Sequence, residues 1–342
     1  MRRPVILLLV MFLVLSTAGC TSPLTETRLT AAPGAAFTVT DQAGRVVEIT
    51  APVERIVSGY YISTSVCIAL GLADRLTGIE ARAAARPIYA LAAPELLELP
   101  SVGSARDFNM EACIALAPEL VILPRHSRDQ ADIMAGMGIS AILVNPESYE
   151  SLMDMIALIG ASAEVPDRAG DLIAYMEATR AFIENTAAQL TDRPSVYMCG
   201  VGSYLRTATK DMYQTGLIKM SGGQSAAPDL PGNGWADISY EQLLAMNPDV
   251  MVIPPEAVYG RDDVINDPQL RSLSAVVNGR VYTMPGDFEA WDSPIPSSML
   301  GALWLLHVLH PDAYSMEELR LNAASFYHEF YGIHIDTGLI GK

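Results

Sequence analysis

One short pattern occurs twice in the chain, in residues 109–123 and again in residues 239–253. Each copy begins with a residue type that caps helices, Asn109 or Ser239, and continues with apolar residues at helical spacing. A proline then ends the helix, and an apolar run of strand length follows. The copies align without a gap, and the matched pairs are Glu111 with Glu241, Ala115 with Ala245, Pro118 with Pro248, and Glu119 with Asp249. A helix that feeds a buried strand, repeated this far apart, predicts two similar lobes.

The first lobe is predicted to occupy residues 37–165. Residues 37–40 and 45–49 alternate around a turn sequence and predict a β-hairpin. Further apolar runs of strand length cover residues 55–57, 76–79, 120–123 and 141–144. These runs alternate with helical segments, which is the pattern of a parallel sheet covered on both faces.

A single long helix is predicted over residues 166–193, because apolar residues recur at helical spacing and Pro194 stops the pattern. This helix would join the first lobe to a second lobe at residues 194–342 and would act as a stiff hinge. The second lobe contains predicted strands at residues 195–199 and 280–284 and predicted helices at residues 212–221, 298–309 and 316–330. The predicted fold class is therefore α/β, with two parallel-sheet sandwich lobes joined by one long α-helix and a ligand cleft between them.

Composition restricts the partners of the chain. It has 342 residues, half of them hydrophobic, and a formal net charge of −17. Nucleic-acid binding needs clustered Lys and Arg, and no run of basic residues occurs. The acidic balance also disfavours peripheral binding to anionic lipid. We therefore expect a chain with a substantial core and no nucleic-acid partner.

The N-terminus indicates export. Arg2 and Arg3 precede an apolar run at residues 5–15 that is too short to span a bilayer, which is the order of a secretion signal. Small residues directly before Cys20 resemble a lipobox, although Thr17 replaces the usual leucine. We predict a lipoprotein signal peptide at residues 1–20, lipidation of Cys20, and a flexible tether at residues 21–36. The alternative is an ordinary secretion signal with an incidental cysteine.

Motifs for catalysis or metal binding are not found. Residues 200–205 begin like GxGxxG but lack the third glycine, and there is no GxSxG, HExxH or phosphate loop. His307 and His310 lie one turn apart near a helix end, where complementing the helix dipole is commoner than metal binding. The other cysteines, Cys67, Cys113 and Cys199, lie in apolar contexts and are interpreted as small buried residues. We predict no enzyme, no cofactor and no metal site.

Four features occur in a recognisable arrangement: residues 39–57, the two glutamate-containing repeats, Gly222-Gly223 between these repeats, and residues 291–311. In this arrangement the chain resembles the substrate-binding lipoproteins of iron-complex and cobalamin ABC importers, over most of its length after the tether. The resemblance implies two lobes joined by one helix, with a ligand between them that is delivered to a permease and its ATPase. It also implies a glutamate on each lobe that docks onto permease arginines, and these positions match Glu111 and Glu241. Stabilisation of a helix N-terminus is the alternative role for either glutamate.

A ligand is expected where loops leave the carboxyl ends of the strands. The candidates by that rule are Tyr60, Tyr61, Arg82, Arg106, Arg125, His126, Tyr204, Arg206, Trp235 and Trp291, the last with Asp292. Arginines on the loops of an acidic protein indicate an anionic ligand, since guanidinium pairs with carboxylates and oxyanions. Aromatic rings beside them suit a large flat or chelated ligand.

The resemblance places a ferric siderophore first among cargoes. Cobalamin, haem and an oxyanion such as molybdate are the alternatives, and a membrane-tethered sensor domain is a further reading of the same cleft. The expected protein is a monomer that is extracytoplasmic and lipid-anchored to the cell membrane. Its partners would be the permease, the ATPase and a small-molecule metal complex.

Overall fold

The computed structural model describes residues 34–341. The predicted signal peptide, Cys20 and most of the predicted tether lie outside this range. Within it, no helix is both long enough and apolar enough to cross a membrane.

The first lobe is built on a four-stranded parallel sheet. The hairpin strands β1 (Ala36–Thr40) and β2 (Val46–Thr50) pair antiparallel, as predicted. The sheet consists of β3 (Ile56–Ser58), β4 (Leu76–Gly78), β5 (Leu120–Pro124) and β6 (Ser140–Val144), in the order β4-β3-β5-β6. The helices of this lobe are α1 (Tyr61–Ala69), α2 (Pro87–Ala92), α3 (Met110–Ala115), α4 (Arg128–Gly136) and α5 (Tyr149–Ser162).

The linker helix α6 spans Pro166–Ala188. It begins at the predicted proline but ends before the predicted residue 193. Pro194 disfavours helical backbone only in the residue before it, Arg193, so it excludes a helix that reaches residue 193 but does not account for the end at Ala188. The Arg193 Nη1 then donates to the carbonyl of Ala187 at 2.8 Å and satisfies one of the terminal carbonyl groups.

The second lobe has a mixed sheet rather than the purely parallel sheet predicted. Its strands are β7 (Ser195–Gly200), β8 (Ser203–Ala208), β9 (Gln224–Ser225), β10 (Trp235–Asp237), β11 (Val250–Ile253) and β12 (Val281–Thr283). Strands β9, β11 and β12 join β7 in parallel pairing, whereas β8 and β10 extend it antiparallel. The helices are α7 (Tyr213–Met220), α8 (Tyr240–Met246), α9 (Arg261–Ile265), α10 (Ser274–Val277), α11 (Ser298–Leu309) and α12 (Met316–Tyr331).

The repeated sequence forms the same unit in both lobes, α3 before β5 and α8 before β11. In each unit a residue with positive φ lies after the helix and directly before the proline, Ala117 at 46° and Asn247 at 41°. Each acidic residue after the proline accepts backbone hydrogen bonds at the start of a neighbouring strand. Glu119 accepts from Arg55 at 2.9 Å, and Asp249 accepts from Ser195 at 2.8 Å.

One buried core runs through both lobes. It includes residues of α1 and α5 from the first lobe, of the linker α6, and of α11 and α12 from the second. Helix α12 also packs on α1, and Arg168 of the linker donates to the carbonyl of Glu329 at 2.7 Å. The lobes are therefore connected by the packing of α12 as well as by α6.

Candidate functional site

The carboxyl ends of the two sheets face each other, and side chains from both lobes meet there. The contacts between lobes are Arg86 Nη1 with Glu256 at 3.0 Å, Tyr61 with Ser293 at 3.1 Å, Asn233 with Glu147 at 3.3 Å, and Ser65 with Glu289. Arg86 and Glu147 follow β4 and β6, and Glu256 follows β11. The cleft predicted between the lobes is therefore formed by the loops after the strands.

Arg86 lies at the centre of these contacts. Its guanidinium carbon is 3.9 Å from the centre of the Tyr61 ring, and its Nη1 reaches Glu256. The Arg86 Nε is buried and has no hydrogen-bond partner within residues 34–341. A cavity of about 190 Å³ adjoins it, lined by Tyr61 and Ser65 of the first lobe and by Pro255, Glu256 and Phe288 of the second, among others. A buried donor without a partner is costly, so an acceptor entering this cavity would be stabilised.

Tyr60 and Tyr61 stand beside Arg86 as predicted ligand-binding residues. Their ring centres are 5.5 Å apart with the rings edge to face. Burial raises the pKa of both phenols, and the neighbouring Tyr61 raises the pKa of Tyr60 further. Without a ligand both are therefore neutral, and they offer hydrogen-bond donors and ring surface rather than phenolate charge.

Two buried carboxyl groups lie behind this cavity. Glu80 accepts from Thr64 at 2.6 Å and from Tyr89 at 2.7 Å, and burial raises its pKa despite these bonds and the nearby Arg86. Burial likewise raises the pKa of Glu289, which accepts from Ser65 across the lobe boundary. Hydrogen bonding from hydroxyl groups lets both carboxyls stay buried.

Stability should fall with rising pH because of Asp292. Burial raises the pKa of this carboxyl to about 7. Between about 4 and about 7 the folded chain then holds a proton that the unfolded chain releases, so the free energy of unfolding decreases as pH rises through this window and levels off above it. We expect Asp292→Asn to show a shallower decrease than the wild type in urea unfolding from pH 4 to 7. Identical slopes would contradict the assignment; Glu80 and Glu289 are present in both chains and cancel in the comparison.

The structure brings the predicted basic residues of the first lobe to one edge. Arg82 follows β4 with a positive φ of 71°, and Arg125 and His126 follow β5. His126 Nε2 lies 2.6 Å from the carbonyl of Ala105, next to Arg106, so the two loops touch. All four side chains are exposed. We call Arg82, Arg86, Arg106, Arg125 and His126 the basic rim.

The aromatic and basic candidates of the second lobe do not line the cavity beside Arg86. Trp291 is 0% exposed and its Nε1 donates to Tyr327 at 2.9 Å, so it belongs to the core. Trp235 lies half-buried on the edge strand β10, packed against the core. The prediction that these rings contact a ligand is corrected for Trp291, whose loop is pinned by prolines around a large buried ring.

Tyr204 and Arg206 lie on β8 and are occupied within the second lobe. The Tyr204 hydroxyl donates to Asp267 at 2.8 Å. Arg206 is 3.5 Å from Asp237 on the neighbouring strand β10. The sequence predicted a glycine-containing loop after β7, whereas the structure forms an antiparallel strand on which both side chains contact partners in their own lobe.

Apolar side chains occupy the corresponding edge of the second lobe. Val258 is 80% exposed and Val201 is 38% exposed, and the Val258 amide donates to the Val201 carbonyl at 3.0 Å. Tyr259 holds this edge by donating to the Gly200 carbonyl at 2.7 Å. The cleft thus has a basic face on the first lobe and an apolar edge with Glu256 on the second.

Arg86 and Glu256 were missed at the sequence level. Arg86 follows Arg82 in the same loop after β4, so the rule that selected Arg82 applies equally to it. Glu256 follows β11 in the same way, but the candidates chosen from the sequence were basic and aromatic residues, so this carboxylate was not among them. Asn233 carries no such signal, since it lies in an irregular loop far from any predicted strand end.

Glu111 and Glu241 occupy matched positions in the first turns of α3 and α8. Capping of these helices is performed by other side chains: Asn109 accepts from the Ala112 amide at 2.9 Å, and Ser239 accepts from the Gln242 amide at 3.2 Å. Both glutamates are exposed, and neither carboxylate has a hydrogen bond or ion pair in the described part of the chain. They are available to an external partner.

A larger groove of about 530 Å³ lies beside the linker helix, between α5 and α7. Four basic residues line it: Arg180, Arg193, Lys210 and Lys219. Both arginines are already paired, because Arg180 contacts Glu150 at 2.8 Å and Glu184 at 2.7 Å and Arg193 donates to the Ala187 carbonyl at 2.8 Å. The cleft at Arg86 is the better candidate for an anion because the buried Arg86 Nε has no hydrogen-bond partner within residues 34–341. Among residues 34–341, no group of three or more His, Cys, Asp or Glu could hold a metal ion.

Two lobes with facing strand ends, a basic cleft between them and a helical linker have the architecture of a solute-binding protein. The chain belongs to the periplasmic binding protein family, whose sequence profile matches residues 56–288. The family resemblance and the two-lobed α/β fold predicted from sequence are confirmed. The prediction that the chain is not an enzyme is also confirmed, because its relatives are solute-binding proteins.

Three relatives illustrate the similarity. The molybdate-binding protein MolA of Haemophilus influenzae is 22% identical over 86% of this chain and 90% of its own, and its structure with molybdate has a TM-score of 0.79 over 88% of this chain and 99% of that chain. The ABC transporter substrate-binding lipoprotein YvrC of Bacillus subtilis is 24% identical over 81% of this chain and 86% of its own. A periplasmic solute-binding protein from Veillonella parvula is 26% identical, with a TM-score of 0.80 over 89% of this chain and 95% of that chain.

Proposed function

We propose that the protein captures an anionic metal chelate, first among them a ferric siderophore, and delivers it to an ABC permease. The observation that supports this proposal is the position of Arg86. Its guanidinium lies between the lobes, and its buried Nε has no hydrogen-bond acceptor among the described residues. The other members of the basic rim supply further basic side chains at the same edge in a protein of net charge −17. Such a local concentration of arginine favours carboxylate, catecholate or oxyanion groups.

The opposite edge of the cleft favours an organic ligand. Val201 and Val258 are exposed there, and Tyr60 and Tyr61 present ring surface across the cleft. A chelate with an anionic face and an apolar body would cover both surfaces, which a small inorganic ion would not. Because of this apolar edge, a siderophore complex is a better candidate cargo than a bare oxyanion.

A molybdate-type oxyanion is the second candidate. The cavity beside Arg86, at about 190 Å³, is small for an organic chelate unless the lobes separate. MolA, which is similar over most of this chain, is a molybdate-binding protein. A compact oxyanion could bond the Arg86 Nε in the cavity as it stands.

Native mass spectrometry of the detergent-solubilised full chain would separate these cargoes. The panel would contain ferric complexes of catecholate and carboxylate siderophores, haem, cobalamin and molybdate. We expect a one-to-one adduct with a ferric siderophore that resists competition by the others. An adduct with molybdate alone would replace the chelate with the oxyanion, and an adduct with cobalamin alone would refute the anionic cargo.

A lipid anchor at Cys20 completes the proposal. Two arginines followed by an apolar run precede this cysteine, which supports the anchor. The similar protein YvrC is named a substrate-binding lipoprotein. More than one acyl chain holds a protein stably on a membrane. Cys20→Ala should therefore move the protein from the membrane pellet to the supernatant on cell fractionation, and continued sedimentation with membrane would contradict the anchor.

A further inference from the structure

The contact between Arg86 and Glu256 has the features of a replaceable ion pair. Glu256 bonds only the Nη1 of Arg86, at 3.0 Å, and leaves the Nε free. The two side chains differ in exposure, 23% for Arg86 and 53% for Glu256. The Arg86 guanidinium also stacks on the Tyr61 ring, whereas nothing in residues 34–341 besides Arg86 bonds the Glu256 carboxylate.

The placement of Glu256 suits a group that moves away. It follows two prolines after β11, on the second lobe, while Arg86 belongs to the first. The pair therefore crosses the cleft that a cargo would enter. A partly exposed ion pair is worth little, on the order of 1 kcal/mol or less, so an anion that makes a better contact with Arg86 can displace it.

We propose that Glu256 is a built-in competitor for the anionic cargo: it occupies Arg86 when the cleft is empty and is displaced when cargo binds. This inference rests on the proposed function, because it takes the cargo to be an anion held by Arg86. Glu256 uses one nitrogen of the guanidinium, whereas a carboxylate or oxyanion in the cavity can bond the Nε and a terminal nitrogen together. Glu256 therefore selects for anions that offer two oxygens and against simple monoatomic anions.

Glu256→Gln tests this directly, because it removes the charge and keeps the shape of an exposed side chain. Affinities for molybdate and for ferric citrate would be measured by calorimetry with the full chain in detergent at fixed salt. We expect the variant to bind both probes about two- to fivefold more tightly, since the competing ion pair is lost. Asp287→Asn is the matched control, because it removes an exposed carboxylate from the same edge of the second lobe without touching Arg86.

The outcomes separate the competitor role from the proposed function. Tighter binding by Glu256→Gln with no change in Asp287→Asn supports the competitor role, and so does binding that appears only in Glu256→Gln. Equal tightening in both variants would assign the effect to general charge and overturn the role. Wild-type binding that is unchanged or weakened in Glu256→Gln would also overturn it while leaving the proposed function intact. Failure of both the wild type and Glu256→Gln to bind either probe would count against the competitor role and the anionic cargo together.

Discussion

Cargo import should be abolished when Glu111 and Glu241 are both reversed to lysine, while the affinity for cargo stays unchanged. The two carboxylates occupy equivalent first turns on the two lobes and are exposed. A two-lobed protein that presents one anchor per lobe matches a permease built from two similar halves. Reversal would place like charges against permease arginines, which costs several kcal/mol at an interface. Uptake of labelled cargo by cells that carry the variant would measure the effect.

The control for this variant reverses two other glutamates in first helical turns. Glu95 and Glu317 are exposed, one in each lobe, and neither belongs to the repeat. Their double reversal changes the net charge and the helix ends in the same way. We expect normal uptake from this control. Normal uptake by the Glu111 and Glu241 variant would reject docking and return both residues to a role at the helix ends.

Arg86→Gln should lower the affinity for cargo by about 30-fold or more. Removing one partner of a buried, charged hydrogen bond costs about 2–5 kcal/mol, and the Arg86 Nε is buried next to the cavity. The same change should not unfold the protein, because the ion pair with Glu256 is partly exposed. Calorimetric titration with the cargo identified from the panel, together with a thermal unfolding scan, would measure both effects.

Arg82→Gln is the matched comparison for this variant. Arg82 lies in the same loop and is exposed, so its loss should weaken binding only through long-range charge. We expect an effect of about fivefold or less, in the range of an exposed charge pair. Equal losses in the two variants would show that the rim acts as a diffuse positive surface and that Arg86 has no special role.

The architecture could be predicted because it depends on local pattern. Helix caps, prolines and apolar runs recur in residues 109–123 and 239–253, and the structure repeats them down to the left-handed residue before each proline. The sequence showed that Glu119 and Asp249 occupy equivalent positions of the repeat, but it did not show why both are acidic. The reason is a contact with a distant strand, at Arg55 and Ser195, which no local pattern encodes.

The site could be predicted only in part. The rule that ligands lie after strand ends selected Tyr60, Tyr61 and Arg82, and it would equally have selected Arg86. It failed in the second lobe, where β8 turns back antiparallel and directs Tyr204 and Arg206 to partners in their own lobe. Burial of Trp291 against Tyr327 depends on how α12 packs. Strand order and helix packing are tertiary properties, and they decide which loop residues face the cleft.

Hydrogen exchange with and without the bound cargo tests the central claim most directly, that cargo is held between the lobes at Arg86. Amides in residues 80–90 of the first lobe and in residues 256–260 of the second should both exchange more slowly in the complex. Protection limited to one lobe would contradict capture between the lobes. Protection confined to residues 147–150 and 210–222, around the groove beside the linker helix, would place the cargo at a different site.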